Sequence, residues 1–291
     1  MFAELVGIVA PIYVTIGLGF LWRRARRAWD RELITDLVMT VGAPCLVFSN
    51  LVSMQVDPAA MAEMAFAAFL ALVTFGVIGA AILRLFKLEL TSFLAPIIFS
   101  NAGNMGLPVC LFAFGQEGLA LGICFFTVTA FGQYSAGIWI WKGRISGAEL
   151  LRTPLTWSVV IAVAVVALQL PVPTWIMRTT EMIGGLTIPL MQFSLGVSLV
   201  GLEIAKLPRS VALSLLRLGL GLAVGWGLAE VLGLTGVARG VLILDCSMPV
   251  AVLNYLLAEK YERTPAEVAS LVLLSTLISL VTLPLILAWV L

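Results

Sequence analysis

No histidine occurs anywhere in this chain of 291 residues. That absence excludes every histidine-based metal site and every histidine general base, rhomboid-like serine chemistry among them. Charge is scarce as well. Asp, Glu, Lys and Arg together make up 11% of residues while 61% are hydrophobic, against about 25% and 45–50% in an ordinary globular domain. So few charges cannot clothe a water-facing surface, and the composition is that of a polytopic membrane protein. The apolar residues run in long blocks and do not alternate with polar ones, which argues against a β-barrel. The four cysteines, Cys45, Cys110, Cys124 and Cys246, lie inside apolar blocks without C-x-x-C spacing and read as small packing residues. A net charge of +1 gives no pull toward nucleic acid. The opening Met1-Phe-Ala-Glu lacks the basic stretch of a cleaved signal peptide, so the first apolar block is expected to be a retained span.

What is present is hydrophobic length. A transmembrane helix takes about 20 apolar residues, leaving room for about nine to eleven. Hydropathy marks ten segments, at 4–22, 32–53, 60–84, 91–114, 118–141, 154–170, 175–202, 208–232, 236–258 and 266–290. Connections are short, and no soluble domain is inserted. Basic residues check the count, because Lys and Arg concentrate in cytoplasmic loops. The loops after spans 1, 3, 5, 7 and 9 hold Arg23, Arg24, Arg26, Arg27, Arg31, Arg84, Lys87, Lys142, Arg144, Arg152, Lys206, Arg209, Lys260 and Arg263, fourteen of the 17 basic residues. The opposite side has Arg178 and Arg239, and Arg217 falls inside span 8. A miscounted span would scramble this alternation. Ten spans with both termini outside the cytoplasm are expected.

The halves repeat. At an offset of 141, Asn104-Met-Gly-Leu-Pro108-Val109 in span 4 faces Asp245-Cys-Ser-Met-Pro249-Val250 in span 9; at 145, Pro44-Cys-Leu-Val-Phe48-Ser49 in span 2 faces Pro189-Leu-Met-Gln-Phe193-Ser194 in span 7. The unit is therefore five helices, 1–147 and 148–291, and an odd-numbered unit must enter the membrane from opposite sides in its two copies. Matching polar and proline interruptions in an inverted pair point to a transporter site. Proline donates no backbone hydrogen bond and clashes with the carbonyl four residues earlier, that of Asn104 in span 4 and of Asp245 in span 9. Gly103 and Gly106 loosen span 4 further. Broken helices with a polar lining are expected at both places.

On these residues the chain resembles a known family. Ten spans in two inverted repeats, Asn101-Ala-Gly-Asn-Met-Gly-Leu-Pro108 in span 4 and Met248-Pro249-Val-Ala-Val-Leu-Asn254-Tyr-Leu-Leu-Ala-Glu-Lys-Tyr261 in span 9 are similar to the auxin efflux carriers of bacteria and plants. Those carriers in turn resemble the bile-acid–sodium symporters. The resemblance implies an all-α integral membrane fold in which spans 1, 2, 6 and 7 form a scaffold. Spans 3–5 and 8–10 would form a mobile transport domain, with spans 4 and 9 crossing at the substrate site for elevator-like alternating access. The long central loop of many plant members is missing; Lys142 to Pro154 is all that joins the halves. This is similar to the compact bacterial type, an inner-membrane protein associated with small organic acids such as malonate or malate, and a homodimer through the scaffold follows by analogy. The lipid bilayer is the other expected partner, and no cofactor is called for beyond H⁺ or Na⁺ as a coupling ion.

The candidate substrate site comprises Asn101, Asn104, Gly106, Pro108, Gln133, Gln192, Ser194, Pro249 and Asn254. Each break exposes a half-helix N-terminus, where free N–H groups favour a carboxylate, and the Asn and Gln amides add donors without charge. Each polar side chain equally suits an interhelical hydrogen bond of about 0.6–2 kcal/mol. Asp245 lies nine residues into span 9, roughly 14 Å deep at about 1.5 Å per residue. An acid there is costly and calls for a partner. Three readings stand: a proton carrier, a ligand for Na⁺ beside unwound carbonyls, or an ion pair with Arg217. A fixed carboxylate would repel an anion, which favours one of the first two. Arg217, about 12 Å beyond Arg209 on the same rise, either snorkels to the interface or pairs with Asp245 or a substrate carboxylate. Asp36, Glu63 and Glu230, near span ends, are expected to reach interfacial water.

Other classes fare worse. Intramembrane aspartyl proteolysis needs two acids, and only Asp245 is central. A sensor would carry a signalling domain or long tail. A sodium-coupled carrier of the bile-acid type and a channel remain as alternatives; the paired breaks favour alternating access over an open pore.

Overall fold

Hydropathy and proline placement account for most of the helix boundaries. The structure, a computed structural model, describes residues 2–53, 58–142, 154–200, 202 and 204–291. Among them the chain is helical: α1 (Phe2–Arg24), α2 (Arg31–Leu37), α3 (Ala43–Ser53), α4 (Pro58–Leu85), α5 (Leu90–Ile98), α6 (Leu107–Gly132), α7 (Ile138–Lys142), α8 (Pro154–Ala167), α9 (Thr174–Leu199), α10 (Leu207–Val231), α11 (Gly236–Ser247), α12 (Val252–Lys260) and α13 (Pro265–Val290). Asp30 caps α2 by accepting from the Leu33 N–H at 3.0 Å. Prolines open α6, α10 and α13 in their first turn, where the missing N–H has no partner to lose. The end of α10 is a Schellman turn. Gly233 at φ +67° lets its own N–H reach Glu230 O at 3.2 Å and that of Leu234 reach Ala229 O at 2.9 Å.

Seven helical stretches among the described residues are long and apolar enough to cross a membrane: Val6–Arg24, Leu33–Ser53, Ala59–Leu85, Ala102–Trp141, Thr174–Leu199, Leu207–Val231 and Pro265–Val290. That is fewer than the ten segments marked by hydropathy, for three reasons. Span 9 is two short helices, α11 and α12, with Met248–Ala251 between them. Span 6 is only the 14 residues of α8. The second half of span 4 runs into span 5, with Gly115 (φ 65°, ψ −149°) as the whole connection, in a region that only glycine enters readily. The junction of the halves at 147/148, with Arg144 and Arg152, lies outside the described residues.

Three π-helical turns, Val38–Gly42, Ala102–Gly106 and Gln133–Gly137, interrupt the α-helices. The first two end in Gly-x-Pro, at Gly42-Ala-Pro44 and Gly106-Leu-Pro108. A proline leaves a carbonyl one turn back without its donor, and the wider turn lets Ala43 N–H reach Val38 O and Leu107 N–H reach Ala102 O instead. Pro108 therefore does not break span 4, contrary to expectation. It starts α6, and the interruption falls earlier, at Phe99–Asn101.

Packing divides the helices into two groups. Among the described residues the most extensive contact is α1 on α9, and α3 packs on both α8 and α9. In the other group α4 packs on α5 and α6, α10 on α11 and α13, and α11 on α6. The α1–α9 crossing depends on missing side chains. A Cβ at Gly196 would enter the Ile16 carbonyl and lie 2.8 Å from Phe20 N, and one at Gly19 would enter the Phe193 carbonyl. Where lipid removes the hydrophobic drive for helix association, such close backbone approach supplies van der Waals contact. The outward faces stay apolar, with Val77, Met182 and Leu285 each about two-thirds exposed, as a lipid-facing surface requires.

The glycine packing predicts opposite results for two small substitutions. Gly196→Ala should cost about 1–3 kcal/mol, because rigid backbone must move. Gly17→Ala, with nothing within 4 Å of its Cβ, should be neutral or stabilise by up to about 1 kcal/mol. Thermal unfolding in detergent checks this; equal melting temperatures for both variants would discount the α1–α9 contact.

A candidate transport site where two broken helices cross

Phe99–Asn101 and Pro249–Ala251 meet as two short extended segments. Pro249 forbids the helical region to the residue before it, and Met248 accordingly sits at φ −62°, ψ 149°. Ser100 and Val250 form an antiparallel bridge: Asn101 N–H donates to Pro249 O at 2.8 Å and Ala251 N–H to Phe99 O at 3.2 Å. Backbone groups released by one break are thus satisfied by the other, as an apolar interior demands. Val250 N–H donates to Ser275 Oγ of α13 at 3.1 Å. Asn254 Nδ2 gives Phe99 O a second donor at 3.3 Å, and Gln133 Nε2 donates to Asn254 Oδ1 at 3.4 Å.

Beside this crossing lies a cavity of about 70 Å³ lined by Asn101, Asn104, Gln133 and Tyr134 on one side, Ala251–Leu253 on another, and Met39 and Met191. A second, of about 80 Å³, shares Asn104, Tyr134 and Met191 with it and adds Thr35, Ser194 and Ser198. A much larger vestibule of about 1080 Å³ lies elsewhere in the bundle, and none of its lining residues is shared with the two small cavities. The middle of α1, the end of α3, the middle of α9 and the residues around Gly115 line it, including Gln116, Glu117, Glu181 and Gln192.

The nine candidate substrate residues do not all gather at one point. Asn101, Asn104 and Gln133 share the smaller cavity, and Ser194 joins Asn104 in the second. Gln192 faces the vestibule, its neighbour Met191 taking the place beside the crossing. Pro249 is in the crossing itself, Asn254 lies behind it in the amide chain, and Pro108 and Gly106 support α6. Asn101 Nδ2, Gln192 Nε2 and Ser194 Oγ are buried without a hydrogen-bond partner, so each retains capacity for a ligand. Tyr134, Thr35, Ser198 and Ser275 were not foreseen. Only Tyr134, adjoining Gln133 and one of 4 tyrosines in the chain, offered a signal.

Asp245 and Arg217 are both fully buried. Arg217 does not snorkel. Its Nη1 donates to Cys246 O at 3.0 Å and its guanidinium lies over the Phe75 ring, 4.8 Å from the centroid. No ion pair joins it to Asp245, whose two carboxylate oxygens have no hydrogen-bond partner. The carboxylate packs directly on Gly106, where a Cβ would fall on Oδ1. The Cys110 thiol lies beside it without reaching hydrogen-bonding geometry. Neither charged group lines the cavities at the crossing. Asp36 and Glu63 are exposed, and Glu230 pairs with Arg239 at 2.7 Å. A further buried acid, Glu267, went unnoticed in the sequence; at the start of α13 it is held by Lys206 at 3.1 Å and by Arg209.

Comparison with known proteins gives this geometry a setting. The profile of the membrane transport protein family matches residues 5–149 and again 143–287, dividing the chain near its middle. An uncharacterized transporter of Methanocaldococcus jannaschii is 26% identical over 273 residues, 87% of this chain and 88% of its own length. An uncharacterized transporter of Methanothermobacter thermautotrophicus is 28% identical over 275 residues, 88% of each chain. A match over nearly all of the sequence, in both halves, makes the chain a transporter and not an enzyme, a member of the membrane transport protein family of auxin efflux carriers that its two crossing motifs resemble.

Proposed function

We propose that the protein is a secondary transporter of small organic anions, working by alternating access at the crossing of its fourth and ninth spans. One observation carries the reading: two paired helix breaks enclose small cavities whose lining includes buried amide and hydroxyl groups without partners. Half-helix N-termini begin at Asn101 and Ala251, and their free N–H groups together with Asn101 Nδ2 suit a carboxylate. At about 70 and 80 Å³, the cavities suit a small dicarboxylate such as malonate or malate better than a bile acid.

The proposed topology is ten spans in two inverted five-helix repeats, both termini outside the cytoplasm of the inner membrane. The α1, α3, α8 and α9 group would be the scaffold, and could pair two copies; the group containing both breaks would move. The vestibule between the groups supports such an elevator, because it is bounded by α1, α3 and α9 on one side and by α6 on the other.

Charge arithmetic supplies the coupling. With Asp245 ionised, it and Arg217 sum to zero. With Asp245 protonated, the interior keeps one positive charge, which favours an anion at the crossing through a low-dielectric path. The other titratable groups facing Asp245 are Cys110 of α6 and Cys246 of α11. Proton and anion would then travel together.

Two predictions follow in proteoliposomes with ¹⁴C-malonate. Acidifying the source side should accelerate wild-type uptake, and Asp245→Asn, a fixed mimic of the protonated acid, should abolish the response to ΔpH. Dependence on ΔNa⁺ would move the coupling to a cation, and no transport of any acid in a dicarboxylate panel would reject the substrate class. Asn101→Ala should raise KM about tenfold, the loss expected for one hydrogen bond to a charged ligand, with kcat much less affected. An unchanged KM would place the substrate elsewhere.

A further inference from the structure

The two helix breaks are not finished alike. At the first, the carbonyl of Phe99 takes neutral donors, Ala251 N–H and Asn254 Nδ2. At the second, the end of α11, Ile243 O accepts from Ser247 Oγ at 2.7 Å, Asp245 O from Met248 N–H at 3.4 Å, and Cys246 O from the Arg217 guanidinium at 3.0 Å. A helix C-terminus carries the equivalent of about half a negative charge, and this one ends inside the bundle, where water cannot screen it. A cation is the natural complement, and Arg217 is placed for it. The α10 helix lies close enough because Gly221, one turn on, has no side chain; a Cβ there would strike Cys246 O and lie 2.9 Å from Arg217 Nη1. Phe75 closes the other face of the guanidinium with its ring. Arg217 Nε and Nη2 have no hydrogen-bond partner, so the position is defined by the carbonyl and the ring, not by a carboxylate.

We infer that Arg217 is a tethered cation seated in a small-cation site at the C-terminal end of α11, and that removing its side chain opens that site to a free cation. Arg217 is a positioning residue: it holds the second break and does not touch substrate. The tethered charge cannot leave, so a dissociable ion such as Na⁺ has no vacancy at this break in the native protein. For its transport readout the inference rests on the anion-carrier reading; its binding readout does not.

The test uses the purified full-length chain in detergent at constant ionic strength, with melting temperature as the first readout. Arg217→Ala should melt below wild type and be raised toward it by millimolar guanidinium, with Na⁺ or K⁺ giving a smaller rise. Wild type and Arg217→Lys, each with its own cation in place, should show no such response. If Arg217→Ala does not purify folded, Arg217→Gln, which keeps a donor but no charge, carries the same test. The inference is overturned if a folded neutral variant responds to no cation, if wild type responds equally, or if Na⁺ over K⁺ specifically stabilises wild type. In proteoliposomes Arg217→Ala uptake should fall about tenfold, or 1.4 kcal/mol, and recover with guanidinium while Arg217→Lys stays near wild type. Wild-type transport with Arg217→Ala unaffected defeats this inference alone. Absence of wild-type transport defeats the substrate assignment and leaves the melting result to decide.

Discussion

A helix cannot simply be cut in the middle of an apolar bundle. Every interruption releases N–H and C=O groups, and each left unpaired there costs several kcal/mol. The mutual pairing of Phe99–Asn101 with Pro249–Ala251 is the constraint from which the rest of this structure follows. Neither break is satisfied without the other, so spans 4 and 9 must be interrupted together and brought into contact across 150 residues of chain. Ser275, Asn254 and Gln133 then complete the hydrogen bonding that two short extended segments cannot complete alone. The amides nearest the crossing therefore have two duties. Asn254 and Gln133 are used up in holding the breaks, while Asn101 Nδ2 is left over. The spare donor, not the amide count, distinguishes a binding position from a structural one.

The buried charges obey the same economy of partners. An ion taken from water into a protein interior costs several kcal/mol even after relaxation, so Asp245 and Arg217 cannot be incidental. A direct salt bridge would neutralise both and fix them. Here they are neighbours through one residue of backbone: Arg217 is committed to the carbonyl of Cys246, next to Asp245 in the chain, and the carboxylate is packed on Gly106 with its oxygens unpaired. In the reading proposed above, a carboxylate in that setting changes its proton without pulling an arginine out of place, and separation of the two charges is what allows one to be permanent and the other to switch.

The limits of the long helices were legible in hydropathy, because span length and apolar content are imposed by the membrane itself. Helix limits at α4, α9, α10 and α13 fall within a few residues of the hydropathy segments. The breaks were harder. Proline was read as the interrupter in both motifs, which held for Pro249 and failed for Pro108, since a proline is equally at home in the first turn of a helix and a π-turn absorbed the rest. Nothing local marks Phe99–Asn101 as extended; its conformation is dictated by the partner segment. Arg217 was misjudged for a related reason. Sequence gives its depth but not its rotamer, and the carbonyl it meets exists only because α11 stops. Glu267 was missed because its basic partners, Lys206 and Arg209, come from a different connection.

The true position of the first break alters how the two proposed repeats compare. Aligned on proline, Asn104 stands opposite Asp245, as though an amide had been exchanged for an acid at one site. Counted from the crossing, Asn104 and Asn254 each stand three residues beyond the residue that opens its half-helix, Asn101 and Ala251. Asp245 belongs to the other side, on the half-helix that runs into the crossing, where α5 has Ala95. The amides thus recur on both downstream halves. The charges occupy one upstream half alone, with Arg217 at its end and Asp245 on its flank. The amides recur but are used differently: Asn254 is taken up by Phe99 O and Gln133, whereas Asn104 lines both small cavities, and the charge is one-sided. In the reading proposed above, that one-sided charge is what lets a single carboxylate, Asp245, carry the proton that accompanies the anion, beside an Arg217 whose charge stays fixed.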